Sequence, residues 1–229
     1  PLDDAVSAVA ALAPNGRDDI RAVTTDVSKL DELQTLCATV LAEFGEIGIL
    51  MNNAVTRLEN TTWTAEANWR QTFDINFMGV VNGVHAFAPG MIAQSHPSLI
   101  VNCGSKQGIT NTPKNPAYNA AKAAVKSFTE SLQHELRNTD GCNVRAHLLV
   151  PGWTTSGTAD HKPGAWLPDQ VVDHMMTALA RGDFYIICPD DEVTPEMDRA
   201  RILWAAGDIV ENRPPLSRWH RDFAGQFKQ

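Results

Sequence analysis

The stretch Leu99-Ile100-Val101-Asn102-Cys103-Gly104-Ser105, with Tyr118-Asn119-Ala120-Ala121-Lys122 after it, decides the reading of this chain. A short aliphatic run ends in a small polar turn, and Pro116 then opens a helical pattern. Tyr118 and Lys122 are four residues apart, so on a helix they share a face. A lysine ammonium beside a phenol favours the phenolate and suits the tyrosine to proton exchange near neutral pH. Ser105 precedes Tyr118 by thirteen residues, and its hydroxyl could hold the oxygen of a carbonyl or alcohol. Together these groups point to chemistry at a C–O bond.

The same alternation of strand and helix extends in both directions. Leu2–Ala13 reads as a helix stopped by Pro14-Asn15-Gly16. Ile20-Arg21-Ala22-Val23-Thr24 reads as a strand running into Asp26-Val27. Ser28 reads as the N-cap of a helix to about Phe44, with Leu30, Leu33, Leu36, Cys37, Val40 and Leu41 on the helical period. Ile47–Met51 is a strand ending in Asn52-Asn53-Ala54, and Thr64 caps a long helix over about Ala65–Ala93. After the strand Leu99–Asn102 come a helix over Pro116–Arg137 and a strand over Val144–Val150 that ends at Pro151-Gly152. A loop to about Pro168, a helix over Asp169–Arg181, a strand over Phe184–Cys188 and a helix over Thr194–Ala206 complete the pattern. A mostly irregular tail runs from Asn212 to Gln229.

Short strands separated by helical crossovers imply an α/β fold, a doubly wound parallel sheet of the Rossmann type covered on both faces. Ligands of such sheets bind at the carboxyl ends of the strands. Asp26, Asn52, Ser105 and Pro151-Gly152 all fall at those ends.

At 229 residues, with 43% hydrophobic and 20% charged residues, one globular domain is the expectation. It spans residues 1–229, with a substrate lid over about 153–168 and the tail from about 212. The net charge is −8 and basic residues form no cluster, which argues against nucleic-acid and membrane partners. The apolar stretches Ala86–Ala93 and Ala146–Trp153 read as too short and broken to cross a bilayer. Cys37, Cys103, Cys142 and Cys188 show no CxxC spacing, so buried free thiols and a cytoplasmic location are expected. The seven histidines make no HxH or HxxxH pair, so no metal site is expected.

The ordered set Asp26-Val27, Asn52-Asn53-Ala54, Asn76-Phe77-Met78-Gly79, Ser105, Tyr118-x-x-x-Lys122 and Pro151-Gly152 resembles the short-chain dehydrogenase/reductases along essentially the whole chain. The resemblance implies a hydride-transferring oxidoreductase that uses NAD or NADP on a secondary alcohol or ketone. Tyr118 would be the general acid or base, and Ser105 would hold the substrate oxygen. Lys122 would bind the nicotinamide ribose and favour the ionised tyrosine, and Asn76 would hold a water of a proton relay. Asp26 and Val27 would border the adenine, and Asn52, Asn53 and Ala54 the adenosine ribose. Pro151, Gly152 and Thr154 would lie along the nicotinamide, with Ser156 on its carboxamide. A homodimer or homotetramer would form across the two long helices.

Two departures accompany the resemblance. The family's NNAG has Val55 in place of the glycine. The family also opens with a strand, a TGxxxGxG turn, a helix and a second strand, and this chain shows none of them. Without them the strand at Ile20–Thr24 would have no neighbour joining it to Ile47–Met51, so the working protein is expected to carry a further N-terminal segment. That segment would hold the pyrophosphate turn and the choice between NAD and NADP.

Simpler roles stand beside these. Asp26 could only cap the following helix, and Asn52 and Asn53 could satisfy turn backbone. Lys106 and Gln107, next to Ser105, are either exposed loop residues or polar substrate contacts. Trp153 and Trp166 either line an apolar or aromatic substrate pocket or pack the lid. Two other functions share the pattern: a binding or regulatory protein that kept the fold without redox activity, and an epimerase or dehydratase.

Overall fold

Four runs rich in Ile, Leu and Val pair side by side in chain order to form one parallel sheet, β1-β2-β3-β4. The computed structural model describes residues 2–155, 159–223 and 225–227. The strands are β1 (Ile49–Asn52), β2 (Ser98–Cys103), β3 (Val144–Val150) and β4 (Tyr185–Ile187). The helices are α1 (Leu2–Ala10), α2 (Leu30–Phe44), α3 (Glu66–Phe73), α4 (Gly79–Ala93), α5 (Gln107–Thr110), α6 (Pro116–Arg137), α7 (Pro168–Arg181) and α8 (Pro195–Val210). Register aligns Asn52 with Asn102, Asn102 with Leu148, and Leu148 with Tyr185, which brings the carboxyl ends of all four strands to one rim.

Alternation of side chains along each strand divides the core between the two faces of the sheet. Ile100 and Ala146 pack with Leu33 and Cys37 of α2 and with Val84, Phe87 and Met91 of α4. Leu148 and Val150 meet Val80 of α4 and Val125 of α6 in an adjoining cluster. On the opposite face, Val101, Leu149 and Ile186 pack under Val171, Met175 and Ala178 of α7. This is the doubly wound parallel arrangement the sequence predicts.

The helix α6 and the strand β3 have the bounds read from the sequence. Other expectations are corrected. No strand forms at Ile20–Thr24; Arg21–Thr24 are exposed and outside the sheet, since a strand exists only with a hydrogen-bonded neighbour. α1 ends at Ala10, short of Ala13. Lys29, not Ser28, is the N-cap of α2, because the Ser28 hydroxyl donates to Asp26 Oδ1. Thr64 does not cap the long helix. Ala65 stands at that position with φ 62°, while Thr64 Oγ1 bonds Thr61 Oγ1 at 2.7 Å. α8 continues to Val210 rather than Ala206. The tail contains two short 3-10 turns, Ser217–Trp219 and Arg221–Phe223.

The long helix is broken by a π turn at Asp74–Met78, so it runs as α3, π turn and α4. By length and apolar composition Glu66–Ala93 would suffice to cross a membrane, which amends the reading that no segment would. Val80, Val84, Phe87 and Met91 of this segment are packed in the core, while Met78 and Ile92 are exposed.

Two glycines set how closely this helix lies on its neighbours. A Cβ at Gly83 would collide with Asn52 Oδ1, and one at Gly79 would fall 2.8 Å from Val27 Cγ2. Only hydrogen at these positions lets α4 approach β1 and the segment before α2.

His147 sits on β3, buried, with Nδ1 bonded to the Asp183 carbonyl at 2.8 Å and Nε2 closed from solvent without a partner. A carbonyl only accepts, so Nδ1 carries the proton and the ring is neutral. Burial is the main force holding its pKa below the ordinary 6.5. The unfolded chain therefore takes up the proton first, and stability is full above 6.5 and lost as pH falls below it. Thermal melting followed across this range should show that decline, and His147→Asn, which keeps a donor near the Nδ1 position, should flatten it.

Candidate active site

Each predicted catalytic side chain stands on an element that ends or begins at the carboxyl rim of the sheet. Asn115 precedes α6, Pro116 occupies its first turn, and the helix places Tyr118 and Lys122 one turn apart. Both are buried, Lys122 with 2% of its surface exposed. The Lys122 ammonium donates to the Cys103 carbonyl at the end of β2, at 2.6 Å, and lies 5.9 Å from the centre of the Tyr118 ring. One acceptor uses one of three N–H donors, leaving two for other partners.

Ser105 follows β2 directly. Its Oγ accepts the Gln107 amide at 3.2 Å, which fastens the start of α5 and leaves the hydroxyl hydrogen free to donate. α5 lies on α6 so closely that a Cβ at Gly108 would fall 2.5 Å from the Lys122 carbonyl carbon and 2.7 Å from its oxygen. That backbone contact fixes the serine turn against the helix bearing Tyr118 and Lys122. Burial raises the pKa of the Cys103 thiol despite the nearby cations, which disfavours the thiolate. Cys37, Cys103, Cys142 and Cys188 are all free thiols, two buried and two half-buried.

Asn76 lies in the π turn and is fully buried. Its side chain grips Thr56 at two points: Oδ1 accepts the Thr56 amide at 2.7 Å, and Nδ2 donates to the Thr56 carbonyl at 2.8 Å. The structure thus places Asn76 as the anchor of the loop after β1. That loop carries Arg57, whose Cζ stands 4.9 Å over the Tyr118 ring with Nη2 3.5 Å from the phenolic oxygen. The same loop carries Asn60, whose Oδ1 accepts the Ala117 amide in the first turn of α6 at 3.1 Å.

The residues assigned to a dinucleotide occupy mixed positions. Asp26 Oδ1 accepts from the Ser28 amide at 2.9 Å and from its hydroxyl, and these bonds hold its carboxyl below the ordinary range. Val27 packs into the core beside Gly79, and its carbonyl accepts from Asn82 at 3.1 Å. Asn52 Nδ2 donates to Asn102 Oδ1 at 2.8 Å, and Asn102 donates to Thr129 on α6 at 3.1 Å. The Asn52 side chain thus belongs to a polar chain linking β1, β2 and α6. Asn53 and Ala54 are exposed at the end of β1.

After β3, Gly152 meets the loop beyond β4: a Cβ there would lie 2.6 Å from Asp190 Oδ2 and 2.9 Å from the Pro189 carbonyl. The same Asp190 Oδ2 accepts the Trp153 amide at 2.9 Å. Pro151 is half-buried beside it, and Thr154 Oγ1 donates to the Gly152 carbonyl at 3.2 Å. The two ends of the predicted lid meet through Trp166 amide to Trp153 carbonyl, 2.8 Å, and Thr155 amide to Trp166 carbonyl, 2.9 Å. Trp153 is exposed on this loop. The Trp166 ring packs on the α7 side of the core, 5.9 Å from the His174 ring, and its Nε1 donates to Asp191. Trp166 therefore packs the lid rather than facing an open pocket. Ser156 lies outside the described residues.

Lys106 is neither an exposed loop residue nor a free substrate contact. Its ammonium lies 2.6 Å from Asp198 Oδ2 of α8, off the line of a hydrogen bond, and 3.5 Å from Asp190 Oδ2. Burial is the main effect on Asp198 and raises its pKa, against the opposing pull of Lys106 and Arg201. Gln107 is half-buried, with Oε1 closed from solvent and unbonded. Asn60, Asn102, Thr129, Asp190 and Asp198 all brace the site and were not predicted. Asp190 alone had a readable signal, standing two residues after the strand-end Cys188 on the same rim.

Residues 2–164 match the family model of the short chain dehydrogenases, and the chain belongs to that family. An uncharacterized oxidoreductase of Staphylococcus saprophyticus is 33% identical over 147 residues, 64% of this chain and 59% of that protein. A 3-oxoacyl-(acyl-carrier-protein) reductase of Staphylococcus aureus is 29% identical over 167 residues, 72% of this chain and 64% of that one. The chain thus spans roughly three fifths of the length of these curated relatives. A short-chain dehydrogenase/reductase from Burkholderia phymatum, solved in complex with NAD, matches with TM-score 0.81 and 29% identity, over 93% of this chain and 83% of that one. A metagenomic short-chain oxidoreductase in complex with NADP matches with TM-score 0.59 and 26% identity, over 73% of each chain.

Two variants test the bracing of the site. Gly108→Ala forces a methyl group into the α6 backbone and should cost about 1–3 kcal/mol in chemical denaturation. Lys106→Met leaves Asp198 buried without its cation and should cost about 3 kcal/mol at neutral pH. The second loss should shrink as pH falls, because burial raises the Asp198 pKa and proton uptake removes the unpaired charge, and melting curves at neutral and acidic pH will show it.

Proposed function

We propose that the chain belongs to an NAD- or NADP-dependent oxidoreductase that interconverts a secondary alcohol and a ketone. The observation that carries this reading is the backbone contact of Gly108 with Lys122. It joins the serine turn to the tyrosine–lysine helix at the sheet rim, where α/β folds bind ligands.

The donor set at that rim suits a dinucleotide. Lys122 keeps two N–H groups for ribose hydroxyls. Asn53 and Ala54 are exposed at the end of β1 on the side assigned to the adenosine ribose. Pro151, Gly152 and Thr154 follow β3 on the same rim. When bound, the nicotinamide ring supplies or accepts the hydride.

The chain's own groups handle the oxygen and its proton. The Ser105 hydroxyl donates to the substrate oxygen and stabilises the charge that develops on it in reduction. Tyr118 Oη protonates that oxygen in reduction and takes the proton in oxidation. The buried Lys122 ammonium favours negative charge beside it, and Asn76 keeps the loop carrying Arg57 and Asn60 in place around the tyrosine. Residues 153–168 serve as the lid of one domain that includes the tail. Pairing of α3–α4 and α6 with a second copy belongs to the same proposal.

A panel of ketones and secondary alcohols, aromatic ones included, with NADH, NADPH and their oxidised forms tests the reading. Tyr118→Phe should lower kcat by about 10²–10⁴-fold while dinucleotide affinity, read by fluorescence titration, stays close to that of the parent. Unchanged turnover in that variant would refute the role of Tyr118.

A further inference from the structure

The region after residue 164 lies outside the family match, and together with α5 it forms a cavity. The cavity is about 390 Å³, open to solvent on one side, and lies between the end of α5, α8 and the tail, with Thr110, Arg201, Trp204, Arg218 and Trp219 among its walls. One carboxylate, Asp208, and a third guanidinium, Arg213, also line it. These two are already matched: Arg213 Nε donates to Asp208 Oδ1 at 3.0 Å, and its Nη2 donates to the Trp204 carbonyl at 2.7 Å. Asp208 further accepts from the amide and hydroxyl of buried Ser217.

Arg201 and Arg218 are not matched. Neither has a hydrogen-bond acceptor or an ion-pair partner among the described residues, and Arg201 Nε and Arg218 Nη1 are closed from solvent. Arg218 is stacked, 4.0 Å from the Trp219 ring and 5.6 Å from that of Phe227. Stacking explains its orientation but gives its N–H groups no acceptor. Asp198, the carboxylate that acts electrostatically on both arginines, is already paired with Lys106. Burial, reinforced by the nearby Arg201 charge and opposed by Asp198, lowers the pKa of Arg218 to about 10. Two half-buried guanidinium groups that repel each other and share a cavity are a costly arrangement unless an anion joins them.

We propose that this cavity is an oxyanion site in which Arg201 and Arg218 together hold the carboxylate or phosphate group of a small molecule. Paired guanidinium forks match the planar or tetrahedral oxygens of such groups. The site adjoins the catalytic elements through α5, which begins beside Ser105 and ends at the cavity wall. Asn111, at that end, accepts from Asn119, the neighbour of Tyr118, at 3.1 Å. The anion is therefore either an acid group of the substrate itself or a separate ligand held against the same helix.

The test uses the full chain and two probes, inorganic phosphate and benzoate, titrated while tryptophan fluorescence and melting temperature are followed. A saturable response to at least one probe is expected, weakened tenfold or more in Arg201→Gln and in Arg218→Gln. Arg201→Lys and Arg218→Lys keep the charge, should bind with intermediate affinity, and serve where a glutamine variant does not fold. No saturable response to either probe, or a response equally strong in all four variants, overturns the site. A comparison of a keto acid with its methyl ester then distinguishes the sources. A rise in KM for the acid alone in Arg218→Gln assigns the anion to the substrate, and equal KM changes with anion binding retained in the parent assign it to a separate ligand. Because the probe titrations need no turnover, they stand or fall independently of the proposed redox activity.

Discussion

The buried Lys122 ammonium is the constraint on which the catalytic rim depends. A charge with 2% of its surface exposed must be met by fixed dipoles, and the Cys103 carbonyl at the end of β2 meets it. This bond ties α6 to the sheet at the level of the rim. Gly108 then seats α5 on the Lys122 backbone, and Asn60 holds the first turn of α6 from the opposite loop. The position of Tyr118 follows from these three contacts.

A second network braces the other side of the rim. Lys106 follows Ser105, yet its charge is directed away from the reaction centre toward Asp198 and Asp190. Asp190 in turn holds the Trp153 amide, and Gly152 leaves room for that carboxylate. The serine turn, the turn after β3 and α8 thus share one buried set of charges. Such sets are weak evidence for stability but define one geometry, because a displaced partner leaves an uncompensated charge. The same network leads into the C-terminal region, where Arg201 and Arg218 have no hydrogen-bond acceptor or ion-pair partner among the described residues.

Elements whose formation depends on local signals were the most legible. Pro116 marks the start of α6, and the residues Val144 to Val150 form a strand buried along almost its whole length. Ile20–Thr24 has equally good strand composition but forms none, because no neighbouring strand supplies its hydrogen bonds. Asp26 does not cap the following helix, whose N-cap is Lys29, and instead makes a turn with Ser28. Lys106 could not be read from its neighbours, since both its partners lie more than eighty residues further along the chain.

The sequence by itself determined the family, the parallel sheet, and the residue types gathered at its carboxyl rim. Strand composition, helix period and the spacing of Ser105, Tyr118 and Lys122 are local properties of the chain, so they survive without knowledge of contacts. Only the tertiary structure decided which polar groups remain free. It engaged Asn76 with Thr56, Asn52 with Asn102 and Lys106 with Asp198, and left Arg201 and Arg218 without acceptors among the described residues. Whether a side chain is occupied depends on residues distant in sequence, because a hydrogen bond or ion pair is fixed by distance and burial in space.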